Sequence, residues 1–414
     1  MKLLFSHPAG NQNSRAMLNA LEHAGMLARF ATTLAVAPHS LGVKLLPNGL
    51  GRNLLRRSFD VPREKILQHP SRELARALCS RLGWDRWLRH EEGFASIDAV
   101  LQDFDRFTAK ALPGVRRKLG LDAVYTYEDS ALDTFKAAKS LGLKCVYDLP
   151  ISYWQVGRRL MEEEVLRVPE WAQALGGGMS DSPSKLDRKD QELALADLVV
   201  VPSRFVGDSL PAWASQKARV LSPFGSPASS ALGRTDLAVD PARPLRVLFV
   251  GSMGQRKGLA DLFAAMKLLV GENIELITMG SMLNTPEFYS RQYAGFTYEK
   301  GRPHDEVLKL MRSCDVFCLP SLYEGRALVM QEAMSQGLPI VITPNTGGQD
   351  LVIEGKTGFL VPIRSPEKIA EKLAWFNHHR QELPAMKQMA MQHAATYTWK
   401  SYGDTVVDAI RRLG

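Results

Sequence analysis

Short apolar runs alternate with amphipathic stretches along this chain, and the rhythm breaks once in the middle. "KLLF", "DAVYTYE", "KCVYDLP" and "DLVVVPS" read as buried strands, with "RAMLNALEHAG" and "SALDTFKAAKSLG" as helices between them. Apolar strands separated by helices specify a parallel sheet covered on both faces, because each parallel crossover lays a helix across the sheet. The stretch "SPFGSPASSALGRTDLAVDPARPL" is rich in Ser, Pro, Gly and Ala, lacks periodicity and reads as a linker. After it the alternation restarts with "RVLFVG", "GLADLFAAMKLLV", "IELITMG", "FTYEKG", "HDEVLKLMRSC", "DVFCLP", "LPIVIT" and "TGFLVP". A chain of 414 residues exceeds what one core usually serves. The expectation is an α/β protein of two Rossmann-like, doubly wound domains facing a cleft, residues 1–235 and 236–397. Largely helical, basic sequence over about 40–118 is expected to form an insertion in the first domain, and "WKSYGDTVVDAIRRL" one more amphipathic helix.

Composition excludes several classes. No apolar run approaches the roughly 18–20 residues that span a bilayer, and the run in "MKLLF" is too short for a secretory core. Four cysteines are too few for a disulfide framework, and "CDVFC" has no second Cys/His pair at metal-ligand spacing. A reduced, cytoplasmic protein without a metal site is expected. The net charge of +8 is concentrated: Lys44 to His90 holds eleven Lys/Arg against four Asp/Glu. Leu54, Leu55, Phe59, Leu74, Leu78, Leu82, Trp84 and Trp87 are interleaved with those charges. Basic residues alternating with Leu and Trp suit an anionic membrane surface, so residues 44–90 are read as a peripheral contact with the inner face of the cytoplasmic membrane. The alternative is a solvated helical pair packed on its own domain. Nucleic acid is not expected as a partner, since no recognition motif accompanies the charge.

Two stretches carry chemistry. In "VLFVGSMGQRKGLADLF" a strand ends at Gly251, and Arg256 and Lys257 precede a helix starting near Gly258. Free N–H groups, a helix dipole and two cations suit an anion. The spacing is neither the dinucleotide G-x-G-x-x-G nor a P-loop, which points to a diphosphate held by Arg and Lys. In "LYEGRALVMQEAMSQGLPIVI", Glu324 precedes a helix N-terminus and Glu332 lies about one and a half turns inside it. Two glutamates eight apart are common on surface helices. Here they follow a buried strand, and Glu332 has Met330, Ala333 and Met334 as neighbours, so a partner such as a ribose diol is expected for it.

These pieces, with "TPNTGGQDLVIEGKTGFLVP" and "TWKSYGDTVVDAI", resemble the donor-binding half of the family 4 retaining glycosyltransferases, whose fold is GT-B and whose hallmark is an E-x7-E motif. Glu324 and Glu332 fill both motif positions. The resemblance covers nearly all of residues 245–410 and is looser over 1–235, on "HPAGNQNSRAMLNALEHAG" and "RKDQELALADLVVVPSRFV". It implies a metal-independent, cofactor-free transfer from a nucleotide-diphosphate-sugar to a glycan, lipid-linked or other envelope acceptor. It further implies that Arg256 and Lys257 neutralise the diphosphate, beyond Gly251. Glu324 would hold the transferred sugar, Glu332 the ribose, and the amides of Gly325, Arg326, Ala327 and Leu328 the distal phosphate. Gly10 would admit the diphosphate from the first domain, and the C-terminal helix would cross back onto that domain. Where relatives carry Gly-Phe-Gly after the first glutamate this chain has Gly325-Arg326-Ala327, and Ser252 stands where an Arg is usual. The family's first-domain His is not matched in "VYTYED", leaving Tyr127, Glu128 and the loop residue His7 as acceptor-side candidates. A nucleotide-sugar epimerase of the same fold, or a non-catalytic sugar-nucleotide-binding protein, would share the second-domain site.

Overall fold

The computed structural model describes residues 1–36, 57–176, 179–227 and 242–414. Residues 44–56 of the basic segment and most of the Ser/Pro-rich linker lie outside the described residues. Two parallel sheets carry the fold. The first runs in the order β3-β2-β1-β4-β5-β6-β7, with β1 Leu3–Ser6, β2 Leu27–Thr32, β3 Ile66–Gln68, β4 Ala123–Tyr127, β5 Lys144–Asp148, β6 Leu198–Val201 and β7 Arg219–Leu221. The second runs β10-β9-β8-β11-β12-β13, with β8 Leu245–Val250, β9 Ile274–Met279, β10 Phe296–Glu299, β11 Val316–Leu319, β12 Ile340–Ile342 and β13 Gly358–Leu360. The strand order reverses between β1 and β4 and again between β8 and β11. In open parallel sheets such a reversal opens a crevice beyond the strands' carboxyl ends, where ligands bind. The loops after β1, β4, β8 and β11 are therefore the ones the topology brings together.

Leu3, Leu4 and Phe5, like Val316, Phe317, Cys318 and Leu319, are covered on both faces, which explains their unbroken apolar runs. Helix boundaries follow local chemistry. Asn11 caps the helix Gln12–His23 in a reciprocal pair with Ser14, and Ser96 caps the helix Ile97–Leu119, which ends at the left-handed Gly120.

Two features depart from the sequence reading. The described part of the expected insertion, residues 57–118, is not a simple insertion. Within them β3 pairs with β2, Ile66 opposite Phe30, and the helix Ile97–Leu119 crosses back to β4. β3 is only three residues long and half-buried, too short for a period-2 signal between charged and Pro/His neighbours. The second departure is a strap. The helix Trp154–Arg167 and the turn Pro169–Ala174 precede the linker in sequence, yet Trp171 and Ala174 are buried in the core built around β8 and β11. Trp171 packs edge-on against Phe263, Phe288 and Tyr289 with ring centres 5.0–6.0 Å away. Behind it the fully buried Glu164 accepts from Gln255 at 2.7 Å and pairs with Arg167 and Arg364.

The C-terminal helix Trp399–Arg411 crosses back, as expected. Tyr402, Val406, Val407 and Ile410 complete the core of the first sheet beside Leu3 and Phe5. Gly403 permits the approach, since a Cβ there would stand 2.4 Å from that of Ala20. The helix Ser71–Leu82 and the turn after it do the opposite of burying their apolar stripe. Leu74, Leu78, Leu82, Trp84, Trp87 and Phe94 are each about half exposed. Among the described residues no helix is long and apolar enough to cross a membrane.

Candidate active site

The loop after β8 is built to hold two cations at one place. Gly258 adopts φ +73° and a Cβ there would meet the carbonyl oxygen of Pro320 at 2.0 Å, so the loop lies directly on the end of β11. Residues Gln255–Lys257 form one 3₁₀ turn, anchored from below by the buried Gln255, whose amide donates to Glu164 and Asp261 and accepts from the Ala260 N–H. The Arg256 N–H donates to the Leu175 carbonyl of the strap at 3.0 Å. With the turn fixed in this way, Arg256 and Lys257 both reach Glu324. Arg256 Nη1 donates to Glu324 Oε1 at 2.7 Å, and Lys257 Nζ stands 2.6 Å from the same oxygen. Their side chains are 20%, 12% and 10% exposed for Arg256, Lys257 and Glu324. Burial holds the Lys257 ammonium below its ordinary pKa, Glu324 acts against that shift, and Arg256 adds to it.

Glu324 begins the turn into the helix Leu328–Ser335. Its N–H is held by the Asn345 carbonyl, while the N–H of Ala327 donates to Thr346 at 3.4 Å. The N–H groups of Gly325, Arg326 and Leu328 donate to no described residue, leaving the helix N-terminus open to an acceptor. Glu332 lies within this helix, 16% exposed, with His304 Nδ1 at 3.8 Å. Burial raises its carboxyl above the usual range, and His304 offsets part of the rise. Among the described residues nothing hydrogen-bonds its carboxylate.

Arg326 keeps its backbone N–H in the donor loop and sends its side chain elsewhere. Its guanidinium does not face Glu324. The side chain is fully buried, donates to Gln331, Gly347 and Asp350, and lies over the Tyr397 ring. Asp350 and Tyr397 together form a better seat for a planar cation than a site already holding two. Only the Arg326 backbone remains with the donor loop.

The first-domain candidates come together around β1 and β4, with different outcomes. His7 Nδ1 accepts from the N–H groups of Ala9 and Gly10 at 3.1 and 2.7 Å, which places its proton on Nε2. Burial, followed by Arg57 and Arg15, lowers its pKa to about 3, so the ring is neutral. The Gly10 N–H donates to His7 Nδ1, and Phe59 occupies the space where a Gly10 Cβ would sit. Tyr127 is buried edge-on to His7 with ring centres 4.5 Å apart. Glu128 is not free either, because Lys189 pairs with it at 3.0 Å inside the domain. Sequence reading missed Asp148, at the carboxyl end of β5. It accepts from Tyr125 at 2.5 Å, and burial raises its pKa to about 7. No local pattern around "VYDLP" marks it. Tyr323 was missed as well; its ring packs on Gly157 of the strap and under Arg256.

Sucrose-phosphate synthase from Thermosynechococcus elongatus superimposes with a TM-score of 0.66 at 17% identity, covering 100% of this chain and 99% of that one. An Anabaena protein, Alr3699/HepE in complex with UDP, gives 0.60 at 14% identity over 100% of both chains. The fold is thus GT-B, with two parallel-sheet domains. In sequence, a D-inositol 3-phosphate glycosyltransferase of Corynebacterium urealyticum is 36% identical over 28% of this chain and 27% of its own length. The chain spans less than half the length of the first curated relatives it matches, all of them named glycosyltransferases or, in one case, a sulfoquinovosyl transferase. Residues 239–393, which hold the second sheet and both glutamates, match the family model described as Glycosyl transferases group 1.

Proposed function

We propose that this chain is a glycosyltransferase of the family 4 type, with Glu324 and Glu332 as its E-x7-E pair. It moves a sugar, with retention and without a metal ion, from a nucleotide-diphosphate-sugar to a glycan, lipid-linked or other envelope acceptor. The observation that carries this reading is the seating of Arg256 and Lys257 on one oxygen of Glu324, beside an open helix N-terminus at the β8/β11 reversal. A diphosphate entering there takes over the two cations, and the released carboxylate then accepts from a sugar hydroxyl. Glu332, half-buried without a hydrogen-bond partner among the described residues, accepts from the ribose diol. The glycosidic C–O bond breaks with its electron pair passing to the diphosphate oxygen, whose charge the two cations and the helix N-terminus meet. An acceptor hydroxyl approaches on the same face, forms the new C–O bond, and gives its proton to the departing phosphate oxygen. On the first-domain side, His7 supplies a neutral Nε2–H at the carboxyl end of β1.

The exposed face formed by Leu74, Leu78, Leu82, Trp84, Trp87 and Phe94 supports peripheral attachment to a cytoplasmic membrane surface. Replacing Trp84 and Trp87 by Ser should then abolish sedimentation with anionic liposomes at low salt. A native protein that stays in the supernatant refutes the attachment. The activity is tested by incubation with UDP-, GDP- and ADP-sugars, with and without a membrane lipid and glycan extract. Acceptor-dependent release of nucleoside diphosphate supports transfer. Epimerised free donor, or binding without turnover, refutes it.

A further inference from the structure

Two crossings join the sheets, one beginning with residues 222–227 after β7 and the other the segment Tyr397–Trp399 leading into the C-terminal helix. These crossings touch. The Ser226 N–H donates to the Tyr397 carbonyl at 2.9 Å, and a Cβ on Gly225 would lie 2.3 Å from the Trp399 nitrogen. A closed circuit of hydrogen bonds links them to the donor loop. Arg326 Nε donates to Gln331 Oε1 at 2.9 Å, and Gln331 Nε2 donates to the Phe224 carbonyl at 2.7 Å and to Ser226 Oγ at 3.0 Å. Arg326 Nη1 donates to Asp350 Oδ1 at 2.7 Å, and the Tyr397 hydroxyl donates to the Asp350 carbonyl at 2.9 Å. The guanidinium lies 4.9 Å over the Tyr397 ring. The circuit borders an interdomain cavity of about 280 Å³, so the surroundings are not packed solid.

We infer that Arg326 is a positioning residue that couples occupancy of the donor loop to the angle between the two domains. Its backbone sits two residues after Glu324. In this coupling, a diphosphate that displaces Glu324 from Arg256 and Lys257 shifts this loop. The neighbouring Gly325 cannot absorb the shift. Its carbonyl accepts from Ser203 of the first domain at 2.6 Å, and a Cβ there would stand 1.6 Å from the Pro150 oxygen. The rigid guanidinium, bonded through Nε and Nη1 to Gln331, Gly347 and Asp350 while Nη2 donates to no described residue, passes the displacement to both crossings at once. A phenylalanine side chain has no donors with which to join such a circuit. Binding can drive closure only to the extent that it differs between the open and closed forms, and a fixed linkage of this kind supplies that difference.

The inference rests on the donor-site reading, and its test separates the two. Native protein, Arg326→Met, Arg326→Lys and Tyr397→Leu are compared by calorimetry with UDP, GDP and ADP, by X-ray scattering with and without the nucleotide that binds, and by steady-state transfer. Tyr397→Leu opens the circuit away from the donor loop. The expected result for Arg326→Met and Tyr397→Leu is nucleotide affinity within about threefold of native, loss of the ligand-induced compaction, and kcat reduced about tenfold or more with donor KM little changed. Arg326→Lys keeps the charge on Asp350 and should recover part of kcat. The inference is overturned if both variants compact like the native protein, or if affinity and kcat fall in parallel with the melting temperature. A native protein that binds none of the three nucleotides overturns the donor-site reading itself, and this inference with it.

Discussion

Replacing Glu324 by Gln should have opposite effects on binding and on turnover. One Glu324 carboxylate oxygen lies 2.7 Å from Arg256 and 2.6 Å from Lys257, with all three side chains mostly buried. At an effective dielectric of about 20, each contact is worth about 6 kcal/mol before desolvation. Desolvation takes back most of this, and removing one partner of such a buried group costs about 3 kcal/mol. The variant is therefore expected to melt lower than the native protein, with two cations left facing each other. A nucleoside diphosphate replaces the missing charge. Its affinity should rise by up to about 100-fold, the same 3 kcal/mol read from the other side. Transfer should fall, because a neutral amide is a weaker acceptor for the sugar hydroxyl; a loss of about 2 kcal/mol corresponds to about 30-fold in kcat. Since Glu324 works against the lowering of the Lys257 pKa, the variant's Lys257 also loses its proton at lower pH than in the native protein. The variant's advantage in nucleotide affinity should accordingly shrink as pH rises. Thermal melts with and without nucleotide, calorimetry across pH and initial rates cover the three effects. Unchanged stability together with unchanged nucleotide affinity would refute the assignment of the two cations to the diphosphate, and unchanged kcat would refute the role given to the carboxylate.

Trp171→Ala should destabilise the protein by about 3–5 kcal/mol in urea titration, because it empties a large hole in the second domain's core. A cost under about 1 kcal/mol would show that the strap contributes little. His7 and Asp148 should act in opposite directions on acid stability. His7 has a folded pKa of about 3 against an ordinary 6.5, so the unfolded chain takes up a proton between those values and stability falls with falling pH. Asp148 has a folded pKa of about 7 against an ordinary 3.8, so the folded chain takes up the proton and stability rises with falling pH. Each effect is worth up to about 4–5 kcal/mol, and they largely cancel between pH 6.5 and 4. His7→Asn should therefore grow more stable on acidification over that window and Asp148→Asn less stable, by denaturant titration at stepped pH. Parallel profiles for the two variants would contradict the assigned protonation states.

Legibility in the sequence followed the length and repetition of the signal. β8, β11 and the helix after Glu324 are uninterrupted apolar or periodic stretches closed by Gly and Pro, and their position at the cleft follows from parallel topology alone. Glu324, Arg256 and Lys257 could therefore be brought together on paper before any distance was known. β3 could not, since three half-buried residues carry no period. The strap could not either, because "VPEWAQAL" reads as an ordinary turn and only tertiary structure shows which core receives Trp171. The side chain of Arg326 could not be placed for a related reason. Sequence position fixes its backbone in the donor loop, but its side chain follows its partners, Gln331, Asp350 and Tyr397, two of which lie 24 residues or more away. Gly10 shows the same limit: a glycine's room is visible in sequence, but Phe59, which fills it, is 49 residues distant.

The helix Trp399–Arg411 has a consequence for the living cell. Its Tyr402, Val406, Val407 and Ile410 fill the groove above β1 and β4, strands that leave the ribosome more than 250 residues earlier. At about 5–20 residues per second, that groove stands open for about 10–50 seconds during synthesis. Trp171 waits in the same way for the strands that will enclose it. Neither half of the molecule can finish its interior from its own stretch of chain. The nascent protein thus presents two apolar surfaces for chaperones to cover, and the halves reach their native state together.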